Sequence, residues 1–280
     1  MSRVLFDAHH HLWRAPTTPR AGILGEPYLH RAFTWEDFAK AASGWDLDGT
    51  CLVEATSEPE EVALAEETSE GDSRLRTMVA FAPVEAPELK EVLAGLSRHA
   101  IVRGVRRSTQ NEPDPDFILR PEFVAGARRV GEAGFLLELC VRLEQIAAVA
   151  RFAHACPETV IVVQHLGKPD VTTEPGCTWL DAVDDLGGCP DVHMKVSPVV
   201  HTAHDPEFTL ETQRPFIRHV VRCFGWDRIL FGSNWPVSTA VTTYDDWVVT
   251  VAGSLPGASE EHLDALFHTN GRRLYCDART

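Results

Sequence analysis

Short apolar runs rich in Val, Ile, Leu and Phe recur along the chain and alternate with longer stretches of helical spacing. That alternation is the mark of β-α-β units built around a parallel sheet. Eight runs stand out: Val4 to Ala8, Thr50 to Ala55, Arg76 to Ala82, Ile101 to Arg106, Phe135 to Val141, Val160 to Leu166, Val192 to Ser197 and Arg228 to Ser233. Helix candidates with start signals lie between them. Thr34-Trp35-Glu36-Asp37 opens one, Glu60 to Thr68 forms another, and Pro121 to Ala133 begins with proline and ends at Gly134. Further helices are expected near Leu143 to Ala155, Trp179 to Leu186, Leu210 to Phe224 and Tyr244 to Ala252, with a capped terminal helix from Ser259 to His268. Strands each followed by a crossover fit a closed (β/α)8 barrel of the TIM type, an α/β fold in one domain over residues 1–280. Loops are expected near Ala15 to Gly25, Asn111 to Asp116 and Val171 to Cys177. In a barrel, loops at the C-terminal strand ends carry the site.

Composition narrows the function more than the fold. The formal charge of -15 argues against nucleic acid or an anionic membrane as partner, because both are bound through clustered Lys and Arg. A small-molecule substrate remains, and it can be anionic where a few arginines line a cleft; homo-oligomer formation stays open. The seven cysteines are scattered and odd in number, with no CxxC pair, as expected of reduced thiols in the cytoplasm rather than a disulfide scaffold. The N-terminus lacks a signal-like apolar core, and no apolar stretch reaches membrane length.

Candidate chemistry gathers at predicted strand ends. The first run leads into His9-His10-His11, and strand alternation puts His9 and His11 on one side and His10 on the other. Two neutral imidazoles so placed can share one divalent metal such as zinc. The sixth run ends in Gln164-His165-Leu166-Gly167-Lys168-Pro169, and the eighth in Phe231-Gly232-Ser233-Asn234-Trp235-Pro236. Alternation separates Arg106 from Arg103 and Arg107, so only one set faces inward; an inward guanidinium can form bidentate pairs with a carboxylate. His193, His201 and His204 are further histidines of the seventh strand and its loop, and Trp13, Phe231 and Trp235 are candidates for pocket walls.

The HxH of the first strand, the QHLGKP segment and FGSxWP together resemble the amidohydrolase-related family of barrel hydrolases. More narrowly, they resemble the branch of sugar-acid lactonases and 2-pyrone-4,6-dicarboxylate lactonase, over Asp7 to Tyr275. The resemblance implies that His9, His11 and His165 either hold a divalent metal or polarise a carbonyl directly, some relatives working without metal. It implies that Arg106 helps hold the substrate, and that Glu138, Lys195 and Ser197 contribute polar groups nearby, with a strand carboxylate bonded to a neighbouring His or Arg as the plainer reading of Glu138. The expected activity is hydrolysis of a small lactone or related acyl substrate carrying a carboxylate.

One position departs from the pattern. The family has aspartate, its general base, where this chain has Asn234, and an amide offers no basic group. Three readings stay open: a laboratory exchange of Asp for Asn, a lyase, decarboxylase or isomerase in which histidine moves the proton, and a barrel that binds without turnover. In the hydrolytic scheme, Asn234 orients water or the reacting carbonyl.

Overall fold

Eight parallel strands, each hydrogen-bonded to the next, run in sequence order from β1 to β8 in a computed structural model that describes residues 3–14, 27–56, 58–200 and 209–277. They are β1 (Val4–His10), β2 (Asp46–Val53), β3 (Leu75–Phe81), β4 (Val102–Ser108), β5 (Leu136–Cys140), β6 (Ile161–Val163), β7 (Val192–Val196) and β8 (Ile229–Phe231). The barrel closes just beyond β8, where Asn234 N donates to the His9 carbonyl and His11 N to the Trp235 carbonyl. This is the (β/α)8 architecture that the alternation predicts.

Helices cover the outside: α1 (Trp35–Ala41), α2 (Glu60–Gly71), α3 (Leu89–Leu96), α4 (Pro121–Glu132), α5 (Ile146–Ala155), α6 (Cys177–Gly187), α7 (Arg214–Phe224), α8 (Tyr244–Gly253), α9 (Glu260–Asp264) and α10 (Asn270–Cys276). Thr34 caps α1 in a full capping box, Pro121 opens α4, and Ser259 caps α9, as their residue types dictate. The chain continues helical past His268 through a π-turn into α10, longer than the sequence pattern suggests. No helix is expected from the sequence between the third and fourth strands, yet α3 stands there. Its Leu89, Val92, Leu93 and Leu96 follow helical spacing, but two prolines upstream and Gly95 within make a short element easy to miss. The Ala15 to Gly25 loop lies outside the described residues.

Alternation along the strands divides the apolar residues in two. Leu52, Met78, Ala80, Ile161, Val163, Ile229 and Phe231 belong to the large core between sheet and helices. Phe6, Ala8, Cys51, Val53, Val79, Val162 and Leu230 form a smaller cluster inside the barrel, closed by Tyr275 from α10. The site is built above that apolar floor.

Candidate active site

The histidine segment depends on a slip in β1. The pairing with β2 shifts between Asp7 and His10, so Ala8 joins the interior cluster and yet His9 also faces inward. His9 and His11 then share a side: their Nε2 atoms lie 3.1 Å apart and their rings meet edge-on at 4.8 Å. His11 Nδ1 is 2.8 Å from the Val53 carbonyl, which can only accept, so Nδ1 carries the proton and Nε2 keeps its lone pair. His10 points the other way, 3.0 Å from Thr50 Oγ1 and stacked on Phe38, and burial pushes its pKa down to about 3. It is a neutral packing residue beneath α1.

His165 comes from the end of β6, its ring centroid 4.6 Å from that of His9 and its Nδ1 2.8 Å from Ser197 Oγ. The backbone that presents it is unusual, because His165, Leu166, Gly167 and Lys168 all have positive φ, between 50° and 70°. A run of left-handed residues is costly for side chains with a Cβ, so the turn is held by its surroundings. Trp179 Nε1 donates to the Leu166 carbonyl at 2.8 Å, Lys168 Nζ donates to Gln110 Oε1, and Leu166 is fully buried. The turn also cuts β6 to three residues, shorter than the apolar run Val160 to Leu166.

Asn234 follows β8 with φ 52°, is 4% exposed, and donates Nδ2 to the Pro198 carbonyl at 3.3 Å. Gly232 beside it is required by space. A Cβ there would stand 2.8 Å from His9 Cβ and 3.4 Å from Ser197 Cβ, so glycine lets the first, seventh and eighth strands converge under the imidazoles. Asp7 fastens the same corner by accepting from His9 N and Ser233 N, both at 3.0 Å, and burial pushes its carboxyl up to about 6.

Below the imidazoles lies a buried layer of matched charges. Lys195 Nζ is 2.6 and 2.8 Å from the Glu138 oxygens and 3.3 Å from His9 Nδ1. Glu138 also accepts from Gln164 Nε2 at 2.6 Å and from the Tyr275 hydroxyl. Gln164 Oε1 accepts from Arg106 Nη1 at 3.2 Å, and Arg106 donates through Nε and Nη2 to the carboxylate and carbonyl of Glu54. Arg106, Lys195 and Glu138 are fully buried and Glu54 is 5% exposed. Each ammonium or guanidinium meets a carboxylate, which is what allows charge so deep in the barrel.

The structure therefore brings His9, His11, His165, Ser197 and Asn234 together at the strand ends, with Arg106, Glu138 and Lys195 directly beneath. Other candidates lie apart. Arg107 is outside the barrel, bonded to Glu85 and Glu112, and Arg103 reaches the Asp277 carbonyl. Trp235 and Trp13 are buried in an aromatic group with Phe33, Trp235 also touching Phe38, whereas Phe231 packs on Phe267 behind the sheet. His193 starts β7 at the opposite end of the barrel, and His201 and His204 lie outside the described residues. Sequence reasoning missed Glu54, Gln164 as a linker, and Tyr275. An acidic residue closing an apolar run marked Glu54, but nothing local tied Tyr275 to Glu138.

A closed α/β barrel with imidazoles converging at its strand ends is the framework of a barrel hydrolase. The chain belongs to the amidohydrolase family, whose pattern it matches over residues 6–276. It is 27% identical over 284 residues to an L-fucono-1,5-lactonase of Burkholderia multivorans, covering 95% of this chain and 92% of that one. An L-fucono-1,5-lactonase of Burkholderia ambifaria is 25% identical over 244 residues, covering 86% and 83%. A crystal structure of an amidohydrolase from Burkholderia multivorans with bound zinc superposes with a TM-score of 0.88 at 24% identity, over 97% of this chain and 99% of that one. Among the described residues, no helix is long and apolar enough to cross a membrane.

Proposed function

We propose that this chain hydrolyses a small lactone of the sugar-acid class at the C-terminal mouth of the barrel. The observation that carries the reading is the imidazole group of His9, His11 and His165 at the strand ends of an amidohydrolase-family chain. The relatives named L-fucono-1,5-lactonase support the substrate class. A cytoplasmic setting fits its unpaired thiols.

His165 is the residue we assign to proton transfer. With Nδ1–H donated to Ser197 Oγ, the tautomer leaves Nε2 as the basic nitrogen that takes a proton from the attacking water. The new C–O bond forms at the lactone carbonyl, the ring C–O bond breaks, and the same imidazolium returns its proton to the departing alkoxide. The product is an open hydroxy acid. Asn234 orients the water or the carbonyl through its amide and moves no proton. Arg106 donates three hydrogen bonds to Glu54 and Gln164, and the family resemblance makes it the guanidinium that helps hold the substrate from beneath. That matching suits a neutral, hydroxyl-rich lactone better than one already carrying a carboxylate; Ser197 frames its other side.

The His9–His11 pair also suits a divalent metal. Tetrahedral zinc with bonds of about 2.0–2.1 Å sets its nitrogen ligands about 3.3 Å apart, close to the 3.1 Å between His9 and His11. The Val53 contact presents His11 Nε2 as a ligand in the manner usual for metal-binding histidines. His9 and His11 would hold the ion, which when bound would act as a Lewis acid toward the carbonyl while His165 moves the proton.

Asn234 favours a second reading, non-hydrolytic lyase, decarboxylase or isomerase chemistry with histidine as acid and base, because no base stands where the family resemblance puts aspartate. Turnover of an aldonolactone panel in 18O-labelled water separates the two. Label entering the product carboxylate faster than in buffer alone supports hydrolysis; no enzyme-dependent opening of any lactone, in wild type or Asn234→Asp, removes it. A gain of about 10²- to 10⁴-fold in Asn234→Asp would identify a lactonase short of its base.

A further inference from the structure

Away from the barrel mouth, three ligand-type side chains meet in the outer helical layer. His219 and Cys223 are four residues apart on α7 and so project to one face, and Asp184 reaches them from α6. Asp184 Oδ1 lies 2.8 Å from Cys223 Sγ and 3.1 Å from His219 Nε2, and the three ligand atoms fall within 4.8 Å of one another. His219 is 8% exposed, and its Nε2, aimed at this cluster, makes no hydrogen bond, the contact with Asp184 lacking the required geometry. A buried imidazole nitrogen thus faces a thiol and a carboxylate, in ion-pair contact with Asp184 but without a hydrogen bond of its own.

We propose that Asp184, His219 and Cys223 form a zinc-class metal site that pins α6 to α7, separate from the imidazoles at the strand ends. One thiolate, one imidazole and one carboxylate are a donor set suited to zinc, whose tetrahedral geometry sets such ligands about 3.3–3.7 Å apart. On the oxygen side the His219 contact needs to open by about 0.2 Å and the Cys223 contact by about 0.7 Å. Asp184 has a side chain 56% exposed, so the fourth position is open to water.

One cation already stands there. Arg222 Nη2 is 2.8 Å from His219 Nδ1 and 3.8 Å from Asp184, on a side chain that is 70% exposed. Binding requires Arg222 to swing into solvent, the imidazole proton to reside on Nδ1, and the Cys223 thiol to lose its proton to water. The balance is one proton released per metal bound, so affinity rises with pH. The site changes how metal analysis is read: one metal per chain would not by itself place a metal in the barrel mouth.

Cobalt(II) titration of chelator-stripped full-length protein tests this. We expect a cobalt–thiolate charge-transfer band that saturates at one equivalent, disappears in Cys223→Ser, and requires at least about tenfold more cobalt in Asp184→Asn. Asp184 is exposed, so that variant probes the ligand without disturbing the core. Absence of the band in the wild type, or a band of unchanged intensity and affinity in both variants, overturns the proposal.

Discussion

Asn234 shows how a single side chain is fixed by its backbone and its neighbour together. At φ 52° it occupies the left-handed region, which asparagine tolerates better than most residues, and its Nδ2 donates to the Pro198 carbonyl. A carboxylate in that place would set acceptor against acceptor in a buried corner. Asn234→Asp should therefore lower stability by about 1–3 kcal/mol at pH 7, seen as a reduced melting temperature; an unchanged one would show that the Pro198 contact contributes nothing. His193, remote from the imidazoles, reports on acid stability. Burial, with Arg228 and Arg273 nearby, lowers its pKa to about 4. Between roughly pH 6.5 and 4 the unfolded chain binds a proton that the folded one refuses, so stability falls as pH drops through that window. His193→Gln should make the loss between pH 7 and 4.5 smaller by on the order of 2 kcal/mol in urea unfolding. An equal loss in both proteins would contradict the assignment.

The left-handed turn His165 to Lys168 converts a strand end into a device that aims an imidazole. Its glycine is essential to the shape, since φ is +70° and a Cβ would stand 2.5 Å from Ile146 Cδ1. Gly167→Ala is expected to cost about 1–3 kcal/mol and to depress turnover further, because the strain is relieved by moving His165. Loss of stability with turnover per folded molecule intact would mean that the turn does not position the histidine. The motif that flagged this histidine was legible, and so was the shared face of His9 and His11. The turn's handedness was not, because Leu166 and Lys168 have no intrinsic preference for it and tertiary contacts impose it. The slip in β1 was equally hidden, since a one-residue bulge leaves the apolar pattern nearly unchanged. Helix α3 was the opposite case, with the spacing present and its shortness concealing it.

The barrel as a whole was legible because strand periodicity and helix spacing alternate with little ambiguity, and order alone brings the first and last strands together. Less visible was the vertical order inside it: an apolar floor, a layer of matched charges, then the imidazoles. Tyr275 ties the last helix into that stack through Glu138, although the two residues lie far apart in sequence. Removing its hydroxyl in Tyr275→Phe should destabilise the protein by about 1–3 kcal/mol, since a buried carboxylate loses a donor; a smaller change would mean that Lys195 and Gln164 satisfy Glu138 alone. Chemistry belongs to the top of the stack. It is tested most directly by acid release from L-fucono-1,5-lactone, followed for wild type, His165→Asn and buffer alone. Opening by the wild type well above buffer is expected, with a loss of about 10²- to 10⁴-fold in His165→Asn that remains folded. Wild-type turnover with His165→Asn equally active would contradict it.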